Sequence, residues 1–287
     1  MLGWSTSGWN VTKVAHPHGF VLVIDGFLPP SLADTWHTVL SSTWYDSSAC
    51  RHGTGPCDGP SCAWLYTTND NGGNRKIRSV QRIAERRAAA ESLRRKGRFC
   101  YSKWELTASH ELYPSVGALM SMPVMRKQIA GLLGYDTKDT MGNIADYFVT
   151  AFDEGDFLST HNDGSSGSAA WVLHLAKGWD KSRGGELRFD SSVNQPTDFA
   201  PAFNRMSLFL TRVANSTPHD YVWHEVLPVR PAPPRRRLQM MPGVPTASQP
   251  RFGLTGWYMT PHDHFTRADI IQNELMKAVS NKAGRCY

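Results

Sequence analysis

The stretch FLSTHNDGSSGSAAWVLHLAKGWDKSRGGELRF, residues 157–189, carries the pattern on which the fold turns. His161 and Asp163 stand two positions apart at what reads as the end of a strand. Side chains at i and i+2 of a strand share a face, so both can reach one ion while Asn162 points away. Downstream, AAWVLHLA is an apolar run of strand length, and Gly184 and Gly185 lead into a second short run, ELRF. The two glycines read as a turn with a close approach between strands. A third ligand has to come from a neighbouring strand.

The same character continues toward the C-terminus. Between residues 144 and 260, IADYFVTAF, AAWVLHLA, GELRF, RMSLFLTR, YVWHEVLPV and RFGLTGWYM are separated by turn residues. That rhythm belongs to an antiparallel barrel or sandwich. Trp171, Trp179, Trp223 and Trp257 within it read as core residues. Two histidines in STPHDYVWHEV, His219 and His224, are available as the third ligand, and the β-rich surroundings of HEV favour His224. Two histidines and one carboxylate leave coordination positions open, the donor set of non-haem Fe(II) oxygen chemistry.

Toward the N-terminus, HGFVLVIDGFL (18–28) reads as an opening strand, and PPSLADTWHTVLSS after it as a helix started by proline. A loop rich in Gly, Cys, Pro and Asn follows, from about 47 to 74. Residues 75–98, RKIRSVQRIAERRAAAESLRRKGR, hold ten Lys or Arg against two Glu and reach Gly97 without a breaker, which predicts a basic helix. Its charge reads first as a solvated face. Nucleic-acid binding or attraction of an acidic substrate are the alternatives, and no aromatic stacking platform accompanies the former. YPSVGALMSMPVMRKQIAGLLG (113–134) predicts one more helix, closed by glycine. RADIIQNELMKAVSN predicts a last one near the C-terminus. The organisation expected is therefore an N-terminal helical support and specificity region (1–143), a β-rich core (144–262) and a C-terminal helix (263–287).

With 287 residues and 40% hydrophobic composition the chain can bury a sizeable core. The longest apolar runs, FVLVI and MSLFL, are strand-sized and no apolar leader follows Met1, so neither membrane insertion nor secretion is expected. Cys50, Cys57 and Cys62 are spaced C-x6-C-x4-C, looser than the CxxC-like spacing a structural zinc wants, though His52 could be recruited as a fourth ligand. They read as reduced thiols of a cytoplasmic protein, with a local disulfide as the alternative. A net charge of +6 is too mild to establish an acidic partner.

In order, H-x-D, a strand, KGWD, GGEL, MSLFL, HEV and RFGLTGWYM resemble the iron- and 2-oxoglutarate-dependent oxygenases, and within them the prolyl-hydroxylase-like branch. The resemblance covers about residues 146–260. It implies an α+β fold whose core is a double-stranded β-helix, the jelly-roll or cupin-like architecture. It also implies His161, Asp163 and His224 as iron ligands and Arg251 as the partner of the distal carboxylate of 2-oxoglutarate. His174, counted back from Lys177 and Trp179, stands where many relatives have a tyrosine that contacts the same carboxylate, and an imidazole can donate that bond. Fe(II), 2-oxoglutarate and O2 are the cofactors and cosubstrates implied, with ascorbate as a stimulant.

The reaction implied is hydroxylation of an unactivated C–H bond with release of succinate and CO2. Asp163 argues for hydroxylation, because related halogenases lack the carboxylate. A prolyl or other side chain in a peptide or protein is the expected substrate, and a free amino acid or small natural product the alternative. A reading from another class is a non-catalytic barrel that binds nucleic acid or an acidic partner through the basic helix. The chain departs from the family in the interval from His224 to Arg251, 27 residues where relatives have far fewer. The extra segment, residues 230–250, holds six prolines and the run Arg235, Arg236, Arg237, and reads as an inserted loop near the site, either a substrate-contacting lid or a surface insertion.

Overall fold

The computed structural model describes residues 8–48, 51, 62–69, 74–77, 80–136, 139–164, 166–189, 196–211, 222–232 and 249–259. Thirteen strands form one continuous antiparallel sheet. They are β1 (Asn10–His16), β2 (Gly19–Asp25), β3 (Trp64–Asn69), β4 (Asn74–Ile77), β5 (Tyr101–Leu106), β6 (Ile144–Phe152), β7 (Phe157–His161), β8 (Ala169–His174), β9 (Leu187–Phe189), β10 (Thr197–Phe199), β11 (Arg205–Leu210), β12 (His224–Val226) and β13 (Arg251–Tyr258). Their order is β1-β2-β11-β8-β13-β6-β5-β7-β12-β9-β10, with β3 and β4 attached beside β5.

The period-two alternation of side chains shows how this sheet curls. On β8, Trp171 and Leu173 pack into one core with helix residues, while Ala170 and Val172 pack into a second. The second core joins Val21, Val23 and Phe209 of one half of the sheet to Leu187, Phe189, Phe199 and Val226 of the other. The sheet is therefore doubled over on itself, the double-stranded β-helix that the motif order implied. The fold line falls at residues 153–156. One edge of β5 is shared there, its Trp104 and Glu105 pairing with β6 and its Tyr101 and Ser102 with β7.

Four helices lie among the described residues outside the doubled sheet: α1 (Pro30–Asp46), α2 (Val80–Arg95), α3 (Leu112–Ser121) and α4 (Pro123–Leu132). They bury Trp36, Leu40, Trp44, Ile83, Val116, Met120, Met125 and Ile129 against the outer face.

Several expectations need correction. Residues 1–143, expected to be helical, supply five strands of the sheet beside their helices. Residues 75–77 of the expected basic helix belong to strand β4, and the helix is Val80–Arg95. The helix expected over 113–134 is two, because Pro123 has no N–H to continue the first and pushes Met122 to an extended conformation (φ −56°, ψ 132°). Cys62 is disulfide-bonded, so the reduced-thiol reading fails for it, whereas Cys100 is a buried free thiol as expected; Cys50 and Cys57 lie outside the described residues. The C-terminal helix, His52, His219 and the greater part of the loop 230–250 lie outside the described residues. No helix among those described is long and apolar enough to cross a membrane.

Candidate active site

His161 closes β7, and Asp163 sits just past it in the loop toward β8. The expected same-strand pair is therefore a strand residue and a loop residue. Asn162 turns away and accepts a hydrogen bond from the Gly164 N–H through its side chain (3.2 Å). β12 lies antiparallel to β7 with His224 opposite His161, and the register shifts between His224 and Val226. The three side chains converge. One carboxylate oxygen of Asp163 lies 3.3 Å from His161 Nε2 and the other 3.3 Å from His224 Nε2. Potential ligand atoms of the three all lie within 4.8 Å of one another, and this is the one such group of His, Cys, Asp or Glu among the described residues.

Each imidazole is oriented by its other nitrogen. His161 Nδ1 lies 3.0 Å from the Ser159 carbonyl and His224 Nδ1 3.2 Å from the Val222 carbonyl. A carbonyl only accepts, so Nδ1 carries a proton in both rings and Nε2 is the nitrogen that faces Asp163, the orientation metal-bound histidines use. Burial, then the neighbouring His224, lowers the pKa of His161 and keeps it neutral. For Asp163, burial opposes ionisation, but the two histidines outweigh it and hold the carboxylate well below its usual range. Two imidazoles that turn Nε2 toward a shared carboxylate, each with Nδ1 committed to a main-chain carbonyl, fit Fe(II).

The second part of the site lies toward the fold line. Arg251 opens β13 and is 1% exposed, and His174 ends β8 and is 0% exposed. β13 and β8 are paired, so both side chains project from adjoining strands. Arg251 Nη2 donates toward His174 Nδ1 at 3.4 Å, and its guanidinium lies 5.0 Å from the centre of the Phe152 ring. Its Nε and the His174 Nε2 have no hydrogen-bond partner. Burial pulls the Arg251 guanidinium down to about 9, with Glu186 opposing. Burial, then Arg251 and Arg205, holds His174 well below its ordinary value. With Nδ1 accepting from Arg251, the neutral ring carries its proton on Nε2. A buried cation and a buried N–H donor, each with an unfilled valence, form a receptor for a carboxylate.

Its walls are built by neighbours. Gly185, at φ +71°, lets Arg251 pass: a Cβ there would lie 3.2 Å from Arg251 Cδ and 3.2 Å from Val229 Cγ2. Gly184 and Gly185 are thus the turn and close approach that the sequence predicts. Gln249, just before β13, donates to Ser41 Oγ (2.9 Å) and pins the strand entry to α1. Trp171 and Trp257 are core residues as expected, while Trp179 and Trp223 are only partly buried. The carbonyls that orient the histidines were not legible in the sequence, because every residue type carries one.

A doubled β-sheet with a two-histidine, one-carboxylate cluster and a buried arginine further in defines the framework of a metal-dependent oxygenase. Residues 145–259 match the family model of the 2OG-Fe(II) oxygenase superfamily, and over them the chain carries a domain of that family. Among solved structures it is similar to a Pseudomonas putida prolyl-4-hydroxylase, at 19% identity over 68% of this chain and 91% of the other, with a TM-score of 0.38. A Trichoplax adhaerens prolyl hydroxylase, solved with a hypoxia inducible factor peptide fragment, is 16% identical over 78% and 93% of the two chains (TM-score 0.38). A Phytophthora capsici prolyl 4-hydroxylase is 15% identical over 91% and 70% (TM-score 0.41). No curated protein matches the chain.

Proposed function

We propose that this oxygenase hydroxylates a prolyl or other amino-acid side chain within a peptide or protein, with His161, Asp163 and His224 as its iron ligands. The observation that carries the site assignment is the pairing of two half-finished sets of donors on one scaffold. One set is built to take a cation and the other an anion. Bound Fe(II) and 2-oxoglutarate supply the oxidative chemistry, in which O2 is consumed and succinate and CO2 are released.

The chain's own residues do the rest. The imidazoles of His161 and His224 and the carboxylate of Asp163 would hold the ion. Arg251 clamps the distal carboxylate of the cosubstrate while His174 donates to it from Nε2. Phe152 and the apolar residues of the inner core keep water from the clamp. The support for a peptide substrate is the motif order shared with the prolyl-hydroxylase-like branch. Within the basic helix, Arg87 pairs with Asp156, and Arg94 and Arg95 pair with Glu91, which leaves less free charge for nucleic acid than the sequence suggests.

The test is succinate formation by purified protein given Fe(II), ascorbate and 2-oxoglutarate under air, with and without proline-containing peptides. His161→Ala and His224→Ala are expected to abolish it and His219→Ala to spare it. A gain of one oxygen atom on a peptide supports the substrate class, and a gain on free amino acids alone overturns it. Turnover retained in His224→Ala would remove that residue from the site.

A further inference from the structure

The turn between β6 and β7 holds a buried carboxylate that the proposed chemistry leaves unused. Asp156 is 0% exposed. Its Oδ1 accepts from Arg87 Nε (3.0 Å), Arg87 Nη2 (2.9 Å) and Ser102 Oγ (2.9 Å), and its Oδ2 accepts from the Asp153 N–H (2.9 Å). Arg87 comes from α2 and Ser102 from β5. The main chain of the same turn is tied elsewhere. Gly155 N–H donates to the Val229 carbonyl (2.8 Å), and Val229 N–H donates to the Asp156 carbonyl (3.0 Å).

Those bonds join the two strands that carry the cluster. β7 leaves the knot at Asp156 and delivers His161 five residues later. β12 delivers His224 and enters the knot at Val229, again five residues on. The ladder between the two strands is interrupted by the register shift after His224, so pairing alone leaves their relative slide weakly determined. Gly155 supplies an independent sign that the arginine is built in. Its φ is +80°, and a Cβ there would lie 3.1 Å from Arg87 Cδ, so the residue that makes the turn also clears the path of the guanidinium.

We propose that Arg87 and Asp156 are positioning residues for the metal centre: one ion pair, its carboxylate buried and its guanidinium partly so, sets the relative placement of the segments carrying His161, Asp163 and His224. This rests on the metal reading above. It also assigns a use to the basic helix, whose Arg87 serves the interior of the protein.

The experiment is titration of the full chain with Co(II), read by its visible absorption. The proteins are the wild type, Arg87→Met, Arg87→Lys, Asp156→Asn and, as a control, Arg82→Met at an exposed position of the same helix. Partners that orient metal ligands are worth about 10–100-fold in affinity. Arg87→Met and Asp156→Asn are expected to weaken Co(II) binding at least about tenfold and to alter the absorption band. Arg87→Lys, which keeps the charge and loses the fork, should recover part of the affinity, and Arg82→Met should match wild type. Equal affinity and an unchanged spectrum in folded Arg87 and Asp156 variants would overturn the proposal, even with a lowered melting temperature. Should Arg87→Met fail to fold, Arg87→Lys decides, wild-type affinity and spectrum again counting against it. A wild type that takes up no Co(II) sinks the metal reading and this inference with it, which is a different result from equal binding by all variants.

Discussion

At the scale of single residues, the site is set as much by what is missing as by what is present. Gly185 has no side chain, and the aliphatic stem of Arg251 fills the space. Gly185→Ala meets two penalties at once, a left-handed backbone that alanine resists and a Cβ 3.2 Å from Arg251 Cδ. The guanidinium must shift, and the expected result is a raised KM for 2-oxoglutarate, on the order of tenfold, with metal binding unchanged. Steady-state kinetics beside a Co(II) titration would check both halves, and an unchanged KM would show that Arg251 has room to yield. His174 shows how a position can be legible while its chemistry is not. Counting from Lys177 and Trp179 located it, but only the coordinates show that Arg251 claims Nδ1 and leaves the Nε2 proton free.

Among the elements, β13 shows why glycine can stand in the middle of a central strand. Gly256 faces Trp171 of β8 and Tyr147 of β6, and a Cβ on it would fall 2.8 Å from Tyr147 Cβ and closer still to the Trp171 ring. Gly256→Ala therefore overpacks the outer core, at a cost of about 1–3 kcal/mol. Urea denaturation would show the midpoint falling with little change in slope, and an unchanged midpoint would mean that the Trp171 ring moves aside cheaply.

The strands of the core were legible from their apolar runs and turn residues, and IADYFVTAF is β6 residue for residue. Their pairing was not. Whether β7 meets β12 or β11 depends on contacts remote in sequence, and apolar alternation says only which face is buried. The break at Met122 was visible in Pro123, but the apolar spacing on both sides of it is helical and masked the stop. The strand at 74–77 overlaps the start of a run whose composition favours helix, and there pairing with β3 overrides propensity.

For the whole molecule, the doubled sheet makes stability depend on pH through a group deep inside it. In the unfolded chain His174 takes up a proton as pH falls through about 6.5, while in the fold burial and Arg251 keep it neutral. The unfolded state then binds more protons, so acidification favours unfolding. Between about pH 7.5 and 6 this removes up to about 0.8 kcal/mol in the metal-free protein. Asp156 acts with the opposite sign, but in a lower window, because burial raises its folded value to about 6. His174→Leu should flatten the fall in melting temperature across the upper window, and an unaltered fall would assign it to other groups.

His161 and His224 face each other across β7 and β12 although they stand 63 positions apart (224 less 161). A chain emerging from the ribosome has made two of its candidate ligands by residue 163 and waits for β8 to β11 before the last exists. Closing so long a segment is slow, because its ordering entropy comes before any contact rewards it. The candidate ion site is therefore complete only once both halves of the sheet have met, and uptake of a metal would report that meeting.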